Sequence, residues 1–313
     1  MDIYIPTVTI FRQVLTVFSL IVFGIIARKA NIFKEEAKAS FTDIVMNLTL
    51  PSLIFVSMVA NTTWERLLLG TALPFIALAL ILLMLFFSLF ASFLLGRLRP
   101  TTGDRQRTLS VLCAMPNSGF IGFPVILSVL GEEGLAYAVL YDIGVTIAFF
   151  SVAVLALKGG AFQKDNWKRL INPLLVATAL GLIVNKIGLT IPELILTPLQ
   201  TMGNATVPMI MILMGYMLGD FKSSFKIVDW ELGLVCLCKL LLYPLFAYLL
   251  VLPLNLDPLV RTVVLIQAAM PSMASTSVLV EKYGGDNKFA VKAIFVTTLL
   301  SVITIPLMVS LLL

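Results

Sequence analysis

Cys113-Ala-Met-Pro-Asn-Ser-Gly-Phe-Ile-Gly-Phe-Pro124 is the stretch on which the reading of this chain turns. Residues 108–130 around it contain no Asp, Glu, Lys or Arg, so an apolar surrounding is natural for them. Yet the run carries two prolines, two glycines, an asparagine and a serine. Pro116 has no N–H and its ring clashes with the preceding turn, so a straight helix through it is not expected. Backbone groups freed by the break cannot face lipid; they are tolerated only when packed in protein or lining a polar cavity. Nine residues separate Pro116 from Arg107 and fifteen separate it from Gly131, which puts the break near mid-membrane. A second stretch, Gln267-Ala-Ala-Met-Pro-Ser-Met-Ala-Ser-Thr-Ser277, repeats the Ala-Met-Pro core, with Pro271 155 residues after Pro116. Two ordinary proline kinks are the plain alternative, but a recurring pair argues for two related breaks.

Composition sets the class. Over 313 residues, 59% are hydrophobic and 12% charged, and the mean hydropathy is +1.04. These values belong to a polytopic membrane protein, and the long unalternated apolar runs read as helices rather than barrel strands. Ten spans are expected, at about 7–27, 40–60, 67–96, 108–130, 135–157, 171–189, 198–219, 230–253, 258–281 and 289–312. The start, Met1-Asp2, lacks the basic region of a cleavable signal. With no histidine in the sequence, Ser-His-Asp and Cys-His catalysis and histidine metal sites are excluded. Cys113, Cys236 and Cys238 all lie in apolar runs, and the Cys236-x-Cys238 spacing cannot put both thiols on one helix face. The +5 net charge sits in short loops, so no nucleic-acid surface is read from it.

Charge placement and internal repetition give the topology. Loops after the odd-numbered spans hold 16 of the 22 Lys and Arg residues, while Arg12, Arg66, Lys186 and Arg261 lie on the other side. Both termini are therefore expected outside the cytoplasm. Asn47-Leu-Thr-Leu-Pro51 recurs as Asn204-Ala-Thr-Val-Pro208, an offset of 157 residues that nearly equals the 155 between the two prolines. Two unrelated landmarks with almost one offset indicate a duplication. Residues 1–157 form the first five-span repeat, 158–170 a connecting loop and 171–313 the second repeat. Because five is odd, the second copy enters from the opposite side, giving an inverted repeat.

The same residues resemble the auxin efflux carrier family. They are the Asn-x-Thr-x-Pro motif with Ser52-Leu-Ile-Phe55, Pro116-Asn-Ser-Gly-Phe-Ile-Gly-Phe-Pro124, Asn172-Pro-Leu-Leu175, and Ala269-Met-Pro271 through Glu281-Lys-Tyr-Gly-Gly-Asp286. The family includes the plant PIN carriers and bacterial members named malonate or malate permeases, and the resemblance covers the whole chain. It implies the ten-helix fold of bile-acid sodium symporters, with a scaffold domain and a transport domain whose fourth and ninth helices break and cross. Ser272 departs from the plant carriers, which have a longer amide side chain after the ninth-helix proline.

A broken helix offers free N–H groups and a partial positive charge at its restart, a natural seat for a carboxylate. Asn117, Ser118 and Gly119 beside Pro116, with Ser272, Met273 and Ala274 beside Pro271, are the candidate substrate contacts. Packing through small residues is the alternative for Ser118, Gly119 and Ser272. In the resemblance, the helices bearing Asn47, Ser52 and Asn204 border the substrate path, and interhelical hydrogen bonding is the other use of those amides. Asp142 lies seven or eight residues into the fifth span, nearer the outer face than the Pro116–Pro271 crossing. It is the candidate for proton coupling, against a structural hydrogen-bonding role. Lys239 and Lys292 read as snorkelling side chains.

The sequence therefore points to a secondary carrier of small organic anions such as mono- or dicarboxylates, by elevator-type alternating access. A non-transporting anion sensor and an intramembrane enzyme are the other classes considered. No G-x-x-x-x-G-K-[ST] motif occurs, so an ATP motor would need a partner chain. No cofactor is implied; the motor is an ion gradient, with Na+ or H+ as the candidate coupling ion, or else the membrane potential or the substrate gradient itself. The partners are the anion and the lipid bilayer, with a homodimer left open. Impermeant thiol labelling of single cysteines in intact cells tests the topology. Replacements of Arg66 or Lys186 should label and those of Arg99 or Lys164 should not; the reverse pattern would invert it.

Overall fold

Prolines shape this bundle before any packing does. A computed structural model describes residues 7–32, 35–60, 62–96, 101–158, 172–219 and 229–312. Its helices are α1 (Thr7–Lys29), α2 (Glu35–Ile44), α3 (Leu50–Val59), α4 (Trp64–Leu69), α5 (Leu73–Gly96), α6 (Gly103–Ala114), α7 (Phe123–Ala148) and α8 (Val154–Lys158). There follow α9 (Pro173–Ile187), α10 (Glu193–Asn204), α11 (Thr206–Gly219), α12 (Trp230–Leu237), α13 (Tyr243–Val251), α14 (Pro258–Ala268), α15 (Thr276–Tyr283) and α16 (Asn287–Leu312). π-Helical turns at Val45–Thr49, Ser118–Gly122 and Cys238–Leu242 each run into a helix with proline in its first turn: Pro51, Pro124 and Pro244. A proline ring collides with the carbonyl four residues back, and a widened turn relieves that collision. A fourth π-helical turn, Phe149–Ala153, contains no proline.

Seven helical runs among the described residues are long and apolar enough to cross a membrane, so this is a multi-pass membrane protein. Two shorter apolar helices, α9 and α14, accompany them. One of the seven runs, Ser118–Lys158, is 41 residues long and contains Gly131 at φ 71°, ψ −166°. That conformation is open to glycine and not to a helical L-residue, so the chain reverses direction there.

The helices pack as two groups. In one, α1 lies along α11, and α3 lies along α9 and α10. In the other, α5 packs on α6 and α7, α14 on α7 and α13, and α16 on α6, α12 and α15. The groups meet where α1 touches α7 and α16 and where α3 touches α7. Glycines set the α1–α11 distance: a Cβ added at Gly24 would sit 2.1 Å from the Ile212 carbonyl oxygen, and one at Gly215 would sit 2.0 Å from that of Ile21. Such an approach is how helices associate where lipid removes the hydrophobic drive.

Charges gather at one end of the second group. The Arg105 guanidinium reaches Asp229 at 3.0 Å, Glu231 at 3.3 Å and Asp286 at 3.4 Å. Thr108 Oγ1 accepts from the Asp286 N–H at 2.9 Å. Lys292 Nζ donates to Asp229 at 2.7 Å, and this bond is the main cause of an Asp229 carboxyl held below the ordinary carboxylate range. Lys292 thus ends in an ion pair at the edge of the bundle.

Lys239 does not snorkel. It is fully buried, with Nζ 3.5 Å from the Tyr243 ring centroid and no hydrogen-bond partner among the described residues. The π-helical turn that carries it packs against α6 and α16, so its side chain faces protein rather than the membrane edge. Cys113, Cys236 and Cys238 are free thiols. Residues 159–170 of the expected connecting loop lie outside the described residues, as do Lys34, Arg97, Arg99, Lys222 and Lys226.

Gly215→Ala is expected to destabilise the protein by about 1–3 kcal/mol, because its methyl would meet backbone that cannot yield. A thermal melt of the purified variant measures this, with Gly233→Ala as control since nothing lies within 4 Å of a Cβ there. Equal midpoints for the two variants would show that α1 and α11 have room to separate.

Candidate functional site

The two proline-bearing stretches meet. α6 stops at Ala114, and Met115 is extended (φ −90°, ψ 112°). The chain becomes helical again at Ser118. On the other side α14 ends at Ala268 and helix resumes at Thr276. Pro116 and Ser272 form an isolated antiparallel bridge. The Asn117 N–H donates to the Pro271 carbonyl at 2.8 Å, and the Met273 N–H donates to the Met115 carbonyl at 3.0 Å. Pro116 has no donor to leave unsatisfied at a bridge position that exchanges no hydrogen bonds itself.

Side chains reinforce this contact. Ser272 Oγ donates to the Leu112 carbonyl at 3.0 Å, and Thr297 Oγ1 accepts from the Ser272 N–H at 3.4 Å. Gln267 packs on Gly122, where a Cβ would lie 2.3 Å from its Oε1. Ser118 Oγ hydrogen-bonds the Asp142 carboxylate, and Thr146 Oγ1 donates to the same carboxylate at 3.4 Å. Asn117 is 1% exposed, yet its Nδ2 has no hydrogen-bond partner among the described residues. A buried amide donor without an acceptor is costly, and such a group calls for a ligand or water.

Asn117 lies on the wall of a cavity of about 240 Å³. Met46, Asn47 and Leu50 line one side, and Gly119, Phe120, Asp142 and Thr146 another. Phe149, Phe150, Asn172, Pro173, Leu174, Met273 and Ser275 complete the wall. The volume is below the ~300–1,000 Å³ of sites for drug-sized molecules, so it suits a ligand of few atoms. Among the described residues, Asp142 is the sole ionisable group on the wall. The restarts after both interruptions are not capped by their own side chains. At the second restart the Thr276 and Ser277 N–H groups already donate to the Met273 and Ala274 carbonyls, at 3.1 and 3.4 Å, so it is the start at Ser118 whose first N–H groups offer donors to an acceptor from outside.

Of the residues singled out from sequence, Asn47, Asn117, Gly119, Asp142 and Met273 share this cavity. Pro116 and Pro271 form the contact behind it, with Ser118 joined to Asp142. Ser272 is turned back toward α6. Ser52 donates to the Leu48 carbonyl at 2.7 Å within its own helix, and Asn204 is exposed at the end of α10; neither is on the wall. The chain turns at Gly131, 13 residues after Ser118 and 11 before Asp142, so the two side chains return to the same depth. Thr146, Phe149 and Phe150 carry no sequence signal as wall residues. Asn172-Pro173 signals a helix start, and Asn172 Oδ1 indeed accepts from the Leu175 N–H at 3.0 Å, but a cap does not reveal what it faces.

A multi-pass helical protein with a small cavity at two interrupted, mutually bonded helices is built as a membrane transporter. The profile of the family described as membrane transport protein matches residues 9–165 and 161–309. The chain belongs to this family, the auxin efflux carrier family that its motifs resemble. An uncharacterised transporter of Methanocaldococcus jannaschii is 30% identical over 302 residues, covering 94% of this chain and 96% of that one. Another, from Methanothermobacter thermautotrophicus, is 31% identical over 300 residues, covering 95% and 96%. A Rhizobium meliloti protein named "Putative malonate transporter" is 28% identical over 304 residues, covering 93% and 92%.

Asn117→Ala should fold and insert normally while weakening ligand binding by about 1–3 kcal/mol, the range for losing a buried hydrogen-bond donor. Binding measured on purified protein of unchanged thermal midpoint checks it. Unchanged affinity would remove Asn117 from the site.

Proposed function

We propose that this transporter is a secondary carrier of small organic anions, mono- or dicarboxylates, in the cell (inner) membrane. The observation that carries this reading is the orphaned Asn117 amide, set beside an uncapped helix start in a cavity large enough for a few heavy atoms. Amide and backbone donors with a partial positive charge favour a carboxylate without a buried cation. The name of the Rhizobium meliloti relative supports the same cargo class.

Alternating access follows from the two packing groups. The α1, α3, α9, α10 and α11 group serves as scaffold, and the group bearing both interruptions moves against it in elevator fashion. The reading takes the architecture as ten spans in a 5+5 inverted repeat, with fourth and ninth helices broken at Pro116 and Pro271 and both termini outside the cytoplasm. Support comes from the matched offsets of the two motif pairs and from Gly131, which divides the 41-residue run into two spans. Asp142 then has a role. A carboxylate on the wall repels an anionic cargo unless a proton or Na+ accompanies it, which gives a coupling ion a physical reason to bind.

Uptake of malonate and other mono- and dicarboxylates into proteoliposomes, under imposed pH or Na+ gradients at fixed potential, tests the reading. Accumulation of at least one anion is expected in response to one gradient. Asp142→Asn should bind the anion and lose the response to that gradient. Binding without uptake would instead make the protein a sensor. A wild type indifferent to both gradients would sink the coupling role of Asp142.

A further inference from the structure

The start of α15 separates two cavities. Met273 and Ser275 are on the wall of the one already described, whereas Ala274 and Ser277 are on the wall of a second, of about 190 Å³. This second cavity lies between α2, α11, α15 and α16, so it bridges the two packing groups. Its chemistry is opposite to that of the first. Among the described residues the sole ionisable one on its wall is Lys38, half-buried on α2, and the remainder is mostly Met, Leu, Val, Ile and Phe. Val291 on the wall is 42% exposed, and the adjacent Val278 on α15 is 64% exposed. In a membrane-spanning helix such apolar exposure faces lipid, so the cavity borders the bilayer.

An apolar chamber with one cation, open toward lipid, complements an anionic amphiphile and not a small soluble acid. Two further cations, Arg28 and Lys29, lie at the end of α1, and Arg28 donates to the Tyr216 hydroxyl of α11 at 3.0 Å, on the helix that forms one side of the chamber. Basic pockets between spanning helices are where acidic lipid headgroups bind.

We propose that this chamber holds an acyl chain of an anionic phospholipid whose phosphate pairs with Lys38. The tail occupies the space between Met217 and Ile294, and the headgroup stays at the membrane edge. Because α11 belongs to one packing group and α15 and α16 to the other, the lipid binds across their junction and favours the arrangement seen here. That bias toward one arrangement rests on the alternating-access reading; the lipid site itself does not.

Purified protein in nanodiscs of defined composition, followed by native mass spectrometry, tests the proposal. Wild type should retain phosphatidylglycerol about fivefold or more over phosphatidylcholine, the ratio expected when one lysine faces a headgroup of net negative charge rather than a zwitterion. Lys38→Ala should abolish the preference and Lys38→Arg should keep it, while Lys29→Ala, an exposed change at the end of α1, should leave it nearly intact. Equal retention of phosphatidylglycerol by wild type and Lys38→Ala would overturn the site, as would retention of added laurate in place of phospholipid. Loss of the preference in Lys29→Ala alone would place the headgroup elsewhere and overturn it as well. Uptake assays separate this outcome from the carrier reading, since a wild type that never transports but keeps the Lys38-dependent preference sinks only the latter.

Discussion

Two backbone hydrogen bonds, from the Asn117 N–H to Pro271 and from the Met273 N–H to Met115, allow two helices to stop inside an apolar bundle. Neither interruption could stand alone. Each leaves carbonyls and amides without helical partners, and at membrane depth an unpaired backbone group costs several kcal/mol. Met115–Asn117 takes its partners from Pro271–Met273 and the reverse, so each break supplies acceptors and donors to the other. Ser272 and Thr297 then use side-chain hydroxyls to fix the geometry. One concentration of unsatisfied donors faces the cavity, at the Asn117 amide and the uncapped helix start at Ser118.

This concentration gives the cavity its electrostatic character. Among the described residues no lysine or arginine lines it, and its acid, Asp142, is held by two hydroxyls, those of Ser118 and Thr146. On the carrier reading proposed above, dipoles hold the carboxylate and keep the desolvation cost of a bare ammonium out of the chamber. Fixed charge is placed elsewhere: Arg105, Lys292, Asp229, Glu231 and Asp286 interlock at one end of the bundle, where water can share the cost. Lys239 is the exception, buried against Tyr243.

Much of this was legible in the sequence wherever it depended on chemistry local to the chain. Pro116 and Pro271 announce their own breaks, since a missing N–H is a property of the residue. The widened turns before Pro51, Pro124 and Pro244 follow from the same cause. The gap between the fourth and fifth spans already holds Gly131, where the chain turns at positive φ. Less legible was that Ser118 and Asp142 hydrogen-bond across that turn, since the contact depends on how the two arms pack. Lys239 was misread as snorkelling because distance along the chain says nothing about which way a widened turn rotates a side chain. Phe149, Phe150 and Asn172 reach the cavity through packing of α7 and α9 against the interruption, and no local pattern encodes that.

The mutual satisfaction of the two interruptions also has a history within each molecule's synthesis. Asn117 and Pro271 are 154 residues apart, and at ~5–20 residues per second the ribosome needs on the order of ten to thirty seconds to add the second after the first. Throughout that interval the Met115–Asn117 segment has already been made and has no strand to bond. It must wait in the insertion machinery, against water, or in a provisional helix that Pro116 distorts. The nascent chain is therefore most vulnerable in its middle age, and a truncated product ending before Met270 would carry an unpaired backbone into the membrane with nothing in its own sequence able to repair it.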